Sequence, residues 1–559
     1  MKSTKEKKIS QYITFVIFYF VFIILTLRLA PSISAGGLVG LMNEVVNNFN
    51  FRNIFSFSFN LKYWLIGSSI YFFIVALIVL SNRNLRHTDG YGSASWGNIK
   101  NINAQFKDKI EDNNIILSNK LRMGIDGYKT QRNCNVMVVG GSGSGKTRGY
   151  VKPNLMQLNT SYIVLDPKGE ILRSTGTMLK KNGYKIRVLD LYDMDKSNGY
   201  NPFKYLRKPQ DVLTLANNYI SNTTPKDSKS SDPFWEKAET MLLYALMFLL
   251  YEGGKPEEQN FGMLTKLLGE IDVLEDSARG HAKVSAIDDL FAWHGENYPD
   301  SLAVRYFKDF RDKAPGRTAR TILLTVAVRM APFYLKEVQS LLRNDEMEFE
   351  QLGRRKQAIF CVIPDSDTTF NFIVSMLYTQ CFQELYHISD RVLRDRLPVP
   401  VHFIMDEFAN VKIPENFPEL LSTMRSRQIF CSIILQNISQ LKEIFGDKEW
   451  ESIVGNCDEF IYLGGNEQST HEYISNLLGK ETINVSTDSL TRSRQGSTSK
   501  NYQQTGRELL TVSEVRELQR TLSLIFVSGS KPVMDRKYNL EKHKRFEQLS
   551  DGGAKPYLY

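Results

Sequence analysis

One short run of the chain combines glycines with a lysine and a hydroxyl in an order that suits phosphate binding. It directly follows an apolar stretch, 135–139, that has the pattern of a β-strand. The run consists of Gly140, Gly141, Ser142, Gly143, Ser144, Gly145, Lys146 and Thr147. Glycines allow backbone N–H groups to wrap a phosphate, the lysine reaches the β- and γ-oxygens, and the threonine hydroxyl is a ligand for Mg²⁺. The sequence therefore predicts a site for ATP and Mg²⁺, followed by a helix that Pro153 keeps short or kinked.

Hydrolysis of a bound nucleotide also requires a carboxylate near the metal and a group that orients the attacking water. The apolar run 401–405 ends in Asp406 and Glu407, which would hold Mg²⁺ through water and polarise the attacking water, respectively. A rival strand, 162–165, ends in Asp166, which could also line the metal site or belong to an ordinary Pro-Lys-Gly turn. Only the first strand offers an adjacent Asp and Glu, and this favours it.

A third apolar strand, 429–435, ends in Gln436. A glutamine at the carboxyl end of a strand could sense the γ-phosphate or position water, and it could equally be a polar residue that closes a buried strand. The residues alone favour neither interpretation.

The elements that must position these residues are strands separated by a long helical stretch. Between the glycine-rich loop and Asp406 the pattern is helical, with helices predicted at 234–251, 261–268, 301–313 and 318–330. Strand-like residues resume at 358–363. The predicted fold class is α/β, with a parallel core interrupted by an all-α domain.

Two apolar runs near the N-terminus, at about residues 10–30 and 63–82, are long enough to cross a membrane as helices. Lysines before the first run, together with Arg83 and Arg86 after the second, predict that both ends face the cytoplasm. The first run could instead be a signal peptide, because the small residues Ser32, Ser34 and Ala35 follow it. In either case the bulk of the chain is expected in the cytoplasm.

Composition narrows the classes of protein and partner. The 559 residues are 42% hydrophobic and 23% charged, which excludes a largely disordered chain. The net charge of +9 favours polyanionic partners, such as nucleic acid or an anionic membrane surface. Five scattered cysteines without a CxxC pair indicate buried, reduced thiols and no metal site.

The polar run 484–505 carries Arg492, Arg494 and Lys500. Its composition predicts a flexible surface loop, and a basic loop that contacts a phosphate backbone is the alternative.

These features divide the chain into an anchor, a split nucleotide-binding domain, a helical domain and a tail. The expected bounds are 1–88 for the membrane anchor, 89–205 and 331–545 for the two parts of the nucleotide-binding domain, 206–330 for the all-α domain and 546–559 for the tail. After about residue 538 the chain is too short for an appended winged-helix domain that reads DNA.

Several short motifs together resemble the type IV coupling proteins, the TraG/TraD group of conjugation and type IV secretion ATPases. The resemblance extends from the paired apolar runs to about residue 540. Besides the glycine-rich loop, the landmarks are 92–96, Asp166-Pro167-Lys168-Gly169-Glu170, Asn201-Pro202-Phe203, Asp232-Pro233-Phe234-Trp235, Asp406-Glu407-Phe408-Ala409, Arg425, 436–440 and Leu510-Thr511-Val512-Ser513-Glu514.

The resemblance implies a RecA-like motor that assembles as a homo-hexamer at the inner face of the membrane. The motor would receive a DNA and relaxase complex and pass it to the channel proteins of a type IV secretion system. The all-α insertion resembles the substrate-facing domain of that family.

Arg425 resembles the arginine that reaches the nucleotide of a neighbouring subunit, and its place beyond Glu407 favours a subunit boundary. Arg427 and Arg320 are rival candidates for this role. The chain departs from the family at Gln428, where many relatives carry Gly. It also has no acidic C-terminal extension, which puts in doubt a tail-mediated contact with the relaxase complex.

Two other functions stay open at this point. One is a substrate receptor or unfoldase for secreted proteins, without DNA. The other is a DNA pump of the chromosome-segregation type, which the two spans and the short tail disfavour. In every case the expected location is the cell membrane, with two spans and the ATPase domain in the cytoplasm.

Overall fold

The computed structural model describes residues 4–48, 58–81, 90–224, 233–271, 285–314, 316–414, 416–491 and 497–559. It contains two compact units, one of 1–93 and 482–505 and one of 94–481 and 506–559. Some residues used for the orientation, loop and motif predictions lie outside the described ranges: Lys2, Arg52, Arg83, Arg86, Asp232, Arg492 and Arg494.

The described residues form thirteen β-strands and eighteen α-helices. The strands are β1 Asn114–Ile116, β2 Arg122–Gly124, β3 Val136–Val139, β4 Ser161–Pro167, β5 Lys185–Asp190, β6 Gln357–Ile363, β7 Val401–Met405, β8 Ile429–Leu435, β9 Glu459–Tyr462, β10 Lys480–Thr491, β11 Ser497–Glu508, β12 Leu522–Val527 and β13 Val533–Arg536. The helices are α1 Thr4–Asn43, α2 Leu61–Ser81, α3 Ile99–Phe106, α4 Gly127–Thr130, α5 Lys152–Leu155, α6 Glu170–Lys181, α7 Pro209–Thr223, α8 Pro233–Gly253, α9 Phe261–Gly269, α10 Ala286–Asn297, α11 Leu302–Lys313, α12 Arg317–Met330, α13 Lys336–Leu341, α14 Asn371–His387, α15 Phe417–Thr423, α16 Ile438–Gly455, α17 Gln468–Leu478 and α18 Val512–Arg516.

In the first unit, α1 and α2 contain the candidate membrane spans, Ile13–Val46 and Leu61–Ile78. The helical segment that contains the first predicted run extends beyond residue 30 to Asn43, with a kink at Gly37, where the backbone is not helical. Arg28, which lies within α1, forms an ion pair of 2.6 Å with Glu44. A neutralised arginine need not end an apolar helix.

The two apolar helices pack against each other through a few polar contacts. The Tyr71 hydroxyl donates to the Phe15 carbonyl oxygen (2.6 Å), and the hydroxyls of Ser34 and Tyr63 lie 2.6 Å apart. These pairs run in opposite directions along the chain, so α1 and α2 are antiparallel. This arrangement agrees with both ends of the pair facing one side of a membrane.

The polar run 484–505 is not the loop that its composition suggested. Its described residues belong to β10 and β11, which form a two-stranded sheet. β-Branched residues recur along β10, including Thr482, Ile483 and Val485, and such residues favour extended backbone. Local branching therefore outweighs polar composition here.

The second unit is built on one large sheet. Its strand order is β13-β12-β9-β3-β8-β7-β4-β6-β5, and the strands from β9 to β5 are parallel. The outer strands β12 and β13 depart from the parallel core that the sequence predicted, since β12 is antiparallel to both β9 and β13. The core strands are buried on both faces, as expected where helices cover a parallel sheet.

Helices α7 to α13 lie in the chain between β5 and β6. The four helices predicted from periodicity correspond to α8, α9, α11 and α12, with ends that differ by at most two residues. Helices α7, α10 and α13 were not predicted. Stacked rings fill their core, with centroids 3.9 Å apart for Phe291 and Phe307 and 4.5 Å apart for Phe261 and Phe333.

Candidate functional site

The glycine-rich loop leaves the carboxyl end of β3 and is held by both neighbouring strands. The Gly140 N–H donates to the Leu435 carbonyl at the end of β8 (3.0 Å), and the Gly141 N–H donates to the Gly464 carbonyl just beyond β9 (2.9 Å). Gly143 and Gly145 have φ angles of 70° and 89°, a left-handed region that favours glycine. The loop is therefore preformed as a cradle for phosphate.

Lys146 and Thr147 follow the cradle. The Lys146 ammonium donates to the carbonyl oxygens of Gly140 (2.7 Å) and Gly141 (3.2 Å), and burial lowers its pKa. The next residues form one turn of π-helix, Thr147–Val151, and then α5. The first helix is therefore short, as Pro153 predicted.

Asp406 lies at the carboxyl end of β7 and meets the glycine-rich loop. The Thr147 hydroxyl donates to its carboxylate at 2.9 Å. Asp406 is only 5% exposed, and burial raises its pKa despite this hydrogen bond and the nearby Lys146 charge. A hydroxyl and a carboxylate in contact beside a phosphate cradle form an oxygen-ligand set that suits Mg²⁺.

The next residue, Glu407, is held in an unusual backbone conformation. Its φ of 55° lies in the left-handed region, which is costly for a residue with a side chain. Asn410 donates to its carboxylate at 2.9 Å, which fixes the direction of the side chain. Glu407 is half-buried at the same edge as Asp406, where a group that orients water is needed.

Asp166 lies on β4, which neighbours β7, and its carboxylate is already engaged. One oxygen accepts the Ile171 N–H (3.0 Å) and the other accepts the Leu172 N–H (2.7 Å), so Asp166 caps the start of α6. Burial raises its pKa to about 7, although these two N–H groups act to lower it. These bonds favour a structural role over metal binding.

Gln436 follows β8 and therefore lies beside the glycine-rich loop, because Leu435 accepts the Gly140 N–H. Its side chain is exposed, and its backbone N–H donates to the Gln440 side chain at 2.9 Å. The structure thus brings Lys146, Thr147, Asp406, Glu407 and Gln436 to one edge of the sheet.

Two supports of the glycine-rich loop escaped sequence reasoning. Lys537, just past β13, donates to the carbonyl oxygens of Ser144 (2.8 Å) and Leu463 (2.7 Å), and burial lowers its pKa to about 8. Gly464, with φ of 90°, supplies the carbonyl that binds Gly141. A Gly-Gly pair after a strand was a weak signal for the second support, whereas no local pattern marks Lys537.

Arg425 lies at the opposite edge of the same sheet. It is exposed on the short 3₁₀ helix Met424–Arg427, which precedes the amino end of β8. Its stem crosses Gly127, where an added Cβ would come within 2.9 Å of the Arg425 Cγ and 2.7 Å of the Arg132 carbonyl oxygen. Because Gly127 has no side chain, it leaves space for the side chain of Arg425.

The rival arginines occupy different settings. Arg427 donates to both carboxylate oxygens of Asp390 (2.8 and 2.7 Å) and lies 4.1 Å from the centroid of the Tyr386 ring. Arg320 is exposed on α12, among the helices between β5 and β6. Gln428 has a φ of 60°, and this left-handed backbone is the physical reason why glycine suits that position.

The cysteines take no part in the site. All five are free, and Cys134, Cys361, Cys381 and Cys431 are buried. Within the described ranges there is no group of three or more His, Cys, Asp or Glu side chains that could hold a metal ion.

Comparison with known proteins agrees with the sequence motifs and with the arrangement of the site. Residues 93–550 match the protein family described as Type IV secretory system Conjugative DNA transfer. The chain is 21% identical over 433 residues to Protein VirD4 of Rhizobium radiobacter, a match that covers 74% of this chain and 58% of that protein. It is 25% identical over 493 residues to the conjugal transfer protein TraG of Escherichia coli, covering 79% and 73%, respectively. The chain thus spans less than two thirds of the length of VirD4.

Solved structures of one protein share the fold. The bacterial conjugative coupling protein TrwBdeltaN70 matches with a TM-score of 0.57 and 15% identity, over 81% of this chain and 97% of that chain. The plasmid coupling protein TrwB in complex with ADP and Mg²⁺ matches with the same TM-score and identity, over 81% and 96%. The predicted RecA-like α/β fold with a helical domain is confirmed, with a mixed central sheet.

Proposed function

Because the chain belongs to the family of type IV secretory system conjugative DNA transfer proteins, we propose that it is a membrane-anchored ATPase that couples DNA to a secretion channel. In this proposal it receives a DNA and relaxase complex and drives its transfer by ATP hydrolysis. The observation that carries the proposal is the 2.9 Å hydrogen bond between Thr147 and Asp406. It joins the phosphate cradle to the adjacent Asp406 and Glu407 that follow the apolar strand β7.

Each residue of the site has a role in hydrolysis. The backbone N–H groups of 140–147 and the Lys146 ammonium hold the β- and γ-phosphates. Thr147 and Asp406 would hold Mg²⁺, Asp406 through water, and the ion would supply positive charge to the phosphate oxygens. Glu407 orients the attacking water, in the direction that its bond to Asn410 sets. Gln436 contacts the γ-phosphate from the neighbouring strand.

The proposed assembly is a homo-hexamer, in which Arg425 of one subunit reaches the nucleotide of the next. A cation supplied to the γ-phosphate in this way raises hydrolysis rates by ~10³–10⁵ in other nucleotide hydrolases. The exposure of Arg425, at the edge opposite its own cradle, supports a role between subunits.

Helices α1 and α2 are the proposed anchor in the inner membrane, as two antiparallel spans with the ATPase in the cytoplasm. The 18 residues of Leu61–Ile78 rise about 27 Å as a helix, which suits a hydrocarbon core of ~30 Å, and the 34 residues of Ile13–Val46 are more than long enough to cross it. The same placement brings the motor next to the channel proteins of the secretion system.

Replacement of Lys146 tests the motor. Lys146→Ala in the full-length protein should abolish transfer and ATP hydrolysis while leaving membrane insertion intact, because Lys146 supplies charge to phosphates and packs in no apolar core. Lys196→Ala is the matched control, since Lys196 is exposed and pairs with Asp193 three residues away. Wild-type transfer from cells that make only Lys146→Ala would contradict the proposal.

DNA as the cargo is tested by binding. The full-length protein in detergent should bind single-stranded or duplex DNA with little sequence preference, and affinity should fall steeply with added salt, because basic side chains displace counterions from phosphates. Intact ATP binding without DNA binding, or a DNA affinity that does not change with salt, would favour a receptor for secreted proteins.

A further inference from the structure

The motif Asp166-Pro167-Lys168-Gly169-Glu170 has no role in the site described so far beyond the cap that Asp166 forms. Because β4 neighbours β7, with Leu165 paired to Met405, the turn after β4 lies beside Asp406 and Glu407. Lys168 is the residue of this turn that carries a mobile positive charge.

The backbone of this turn is rigidly placed. Lys168 and Gly169 have φ angles of 66° and 68°, so a lysine occupies a conformation that favours glycine. The Gly169 N–H donates to the Asp166 carbonyl (3.2 Å), and the Lys168 N–H donates to the Ile363 carbonyl at the end of β6 (3.2 Å). Together with the buried Asp166 carboxylate, these bonds hold the Lys168 Cα at the edge of the sheet where the phosphates would lie.

The Lys168 side chain, in contrast, is loosely held. Its ammonium lies 2.6 Å from an Asp365 carboxylate oxygen, but the side chains of this pair are 61% and 35% exposed. Exposed ion pairs contribute little to stability, so this contact does not account for a lysine in left-handed backbone. Strained positions of this kind cluster where function requires them.

The charges around Lys168 also favour a functional role for its side chain. The hydrogen bond to Asp365 and the charges of Asp365, Glu170 and Glu407 raise the pKa of Lys168, so the side chain stays protonated and lies within the field of Glu407. Of the other lysines at this edge, Lys146 serves the β- and γ-phosphates from the cradle, and Lys537 is engaged by the carbonyl oxygens of Ser144 and Leu463. Lys168 follows β4, the strand paired with the one that ends at Glu407, and is therefore a candidate cation for negative charge that develops on the γ-phosphate.

We propose that Lys168 is a further catalytic residue, which exchanges the Asp365 carboxylate for the γ-phosphate oxygens when ATP binds. The proposal rests on the proposed ATPase function. An ammonium on a flexible stem, hinged on a fixed backbone, can make this exchange without movement of the strand. It then distinguishes ATP from ADP, because ADP offers it no γ-phosphate.

The test compares three variants of the full-length protein: Lys168→Met, Lys168→Arg and Asp365→Asn. Measurements are kcat and KM for ATP, and the affinities for MgADP and for a non-hydrolysable ATP analogue with Mg²⁺. Lys168→Met should lower kcat by about 10²-fold, as the loss of one donor to a developing oxyanion does elsewhere. Its MgADP affinity should stay unchanged while its preference for the triphosphate analogue falls, and Lys168→Arg should restore part of that preference. Asp365→Asn should keep its activity, because it removes only the resting partner.

Three results would overturn the proposal: wild-type kcat and triphosphate preference in Lys168→Met, equal losses in Lys168→Met and Asp365→Asn, or a loss of MgADP affinity in Lys168→Met. The last two would assign the lysine to the support of the turn. If the wild-type protein hydrolyses no ATP, the proposed function fails, and the preference for the triphosphate analogue still decides whether Lys168 contacts the γ-phosphate.

Discussion

In the second unit, the side chains at the carboxyl ends of the parallel strands are held by more contacts with one another than Arg425 is at the amino ends. At the carboxyl edge, Thr147 and Asp406 are already in contact, and Glu407 is oriented by Asn410. At the amino edge, Arg425 is exposed on a short turn over Gly127. One edge resembles a finished binding site, whereas the other presents the exposed Arg425 to its surroundings.

The distance between the two edges determines whether Arg425 can reach the cradle of its own subunit. Strand β8 has seven residues between the turn that carries Arg425 and Gln436, which corresponds to about 20 Å of extended chain. Arg425 therefore cannot serve the cradle of its own subunit. If hydrolysis requires it, the site is divided between neighbouring subunits and works only after assembly.

The largest effect is expected from a mixture of two inactive variants, which tests whether the two edges of neighbouring subunits form one site. Arg425→Ala and Lys146→Ala should each lose at least ~10³-fold in ATPase rate. Mixed assemblies contain interfaces with an intact Lys146 facing an intact Arg425, so activity should partly return. The measurement is ATP hydrolysis by co-expressed subunits that carry different tags and are purified through both.

Arg427→Ala is the matched control for that experiment, because Arg427 is committed to Asp390 within its own subunit. It should keep its ATPase activity. Mixtures that stay inactive although hybrid assembly is demonstrated, or full activity of Arg425→Ala alone, would remove Arg425 from the mechanism.

A smaller effect is expected from Gly127→Ala, which acts on the amino edge without replacing the arginine itself. An added Cβ within 2.9 Å of the Arg425 stem and 2.7 Å of a carbonyl oxygen must displace one of them. ATPase activity should fall, nucleotide affinity should not, and Lys146→Ala subunits should rescue this variant while Arg425→Ala subunits should not. Gly295→Ala is the control, since its Cβ meets only ordinary contacts at 3.5 Å. Rescue by Arg425→Ala subunits would show that Gly127 does not act through Arg425.

The smallest effect concerns the carboxyl edge, where Asp166 caps α6. Asp166→Ala leaves two buried N–H groups without their acceptor and should lower the free energy of unfolding by about 1–3 kcal/mol. Chemical denaturation measures this loss, and the affinity for MgADP should not change. Unchanged stability together with weaker Mg²⁺-dependent binding would instead make Asp166 a metal ligand.

The parts of the molecule that could be predicted from the sequence are those whose signals are local. The glycine-rich run, the Asp406-Glu407 pair at a strand end and the helical periods of α8, α9, α11 and α12 all depend on neighbours within a few residues. Patterns of that range reflect backbone conformation and the burial of one face, so they can be read without the fold. The short helix after the cradle followed from Pro153 for the same reason.

Which distant residues meet could be seen only in the folded chain. Asp166 and Asp406 both end apolar strands, and only the fold shows that one caps a helix while the other meets Thr147. Lys537 supports a loop that lies far earlier in the chain, and Arg425 is excluded from its own site by the length of β8. These relations depend on strand order and direction, which arise when the whole sheet assembles and which no local pattern encodes.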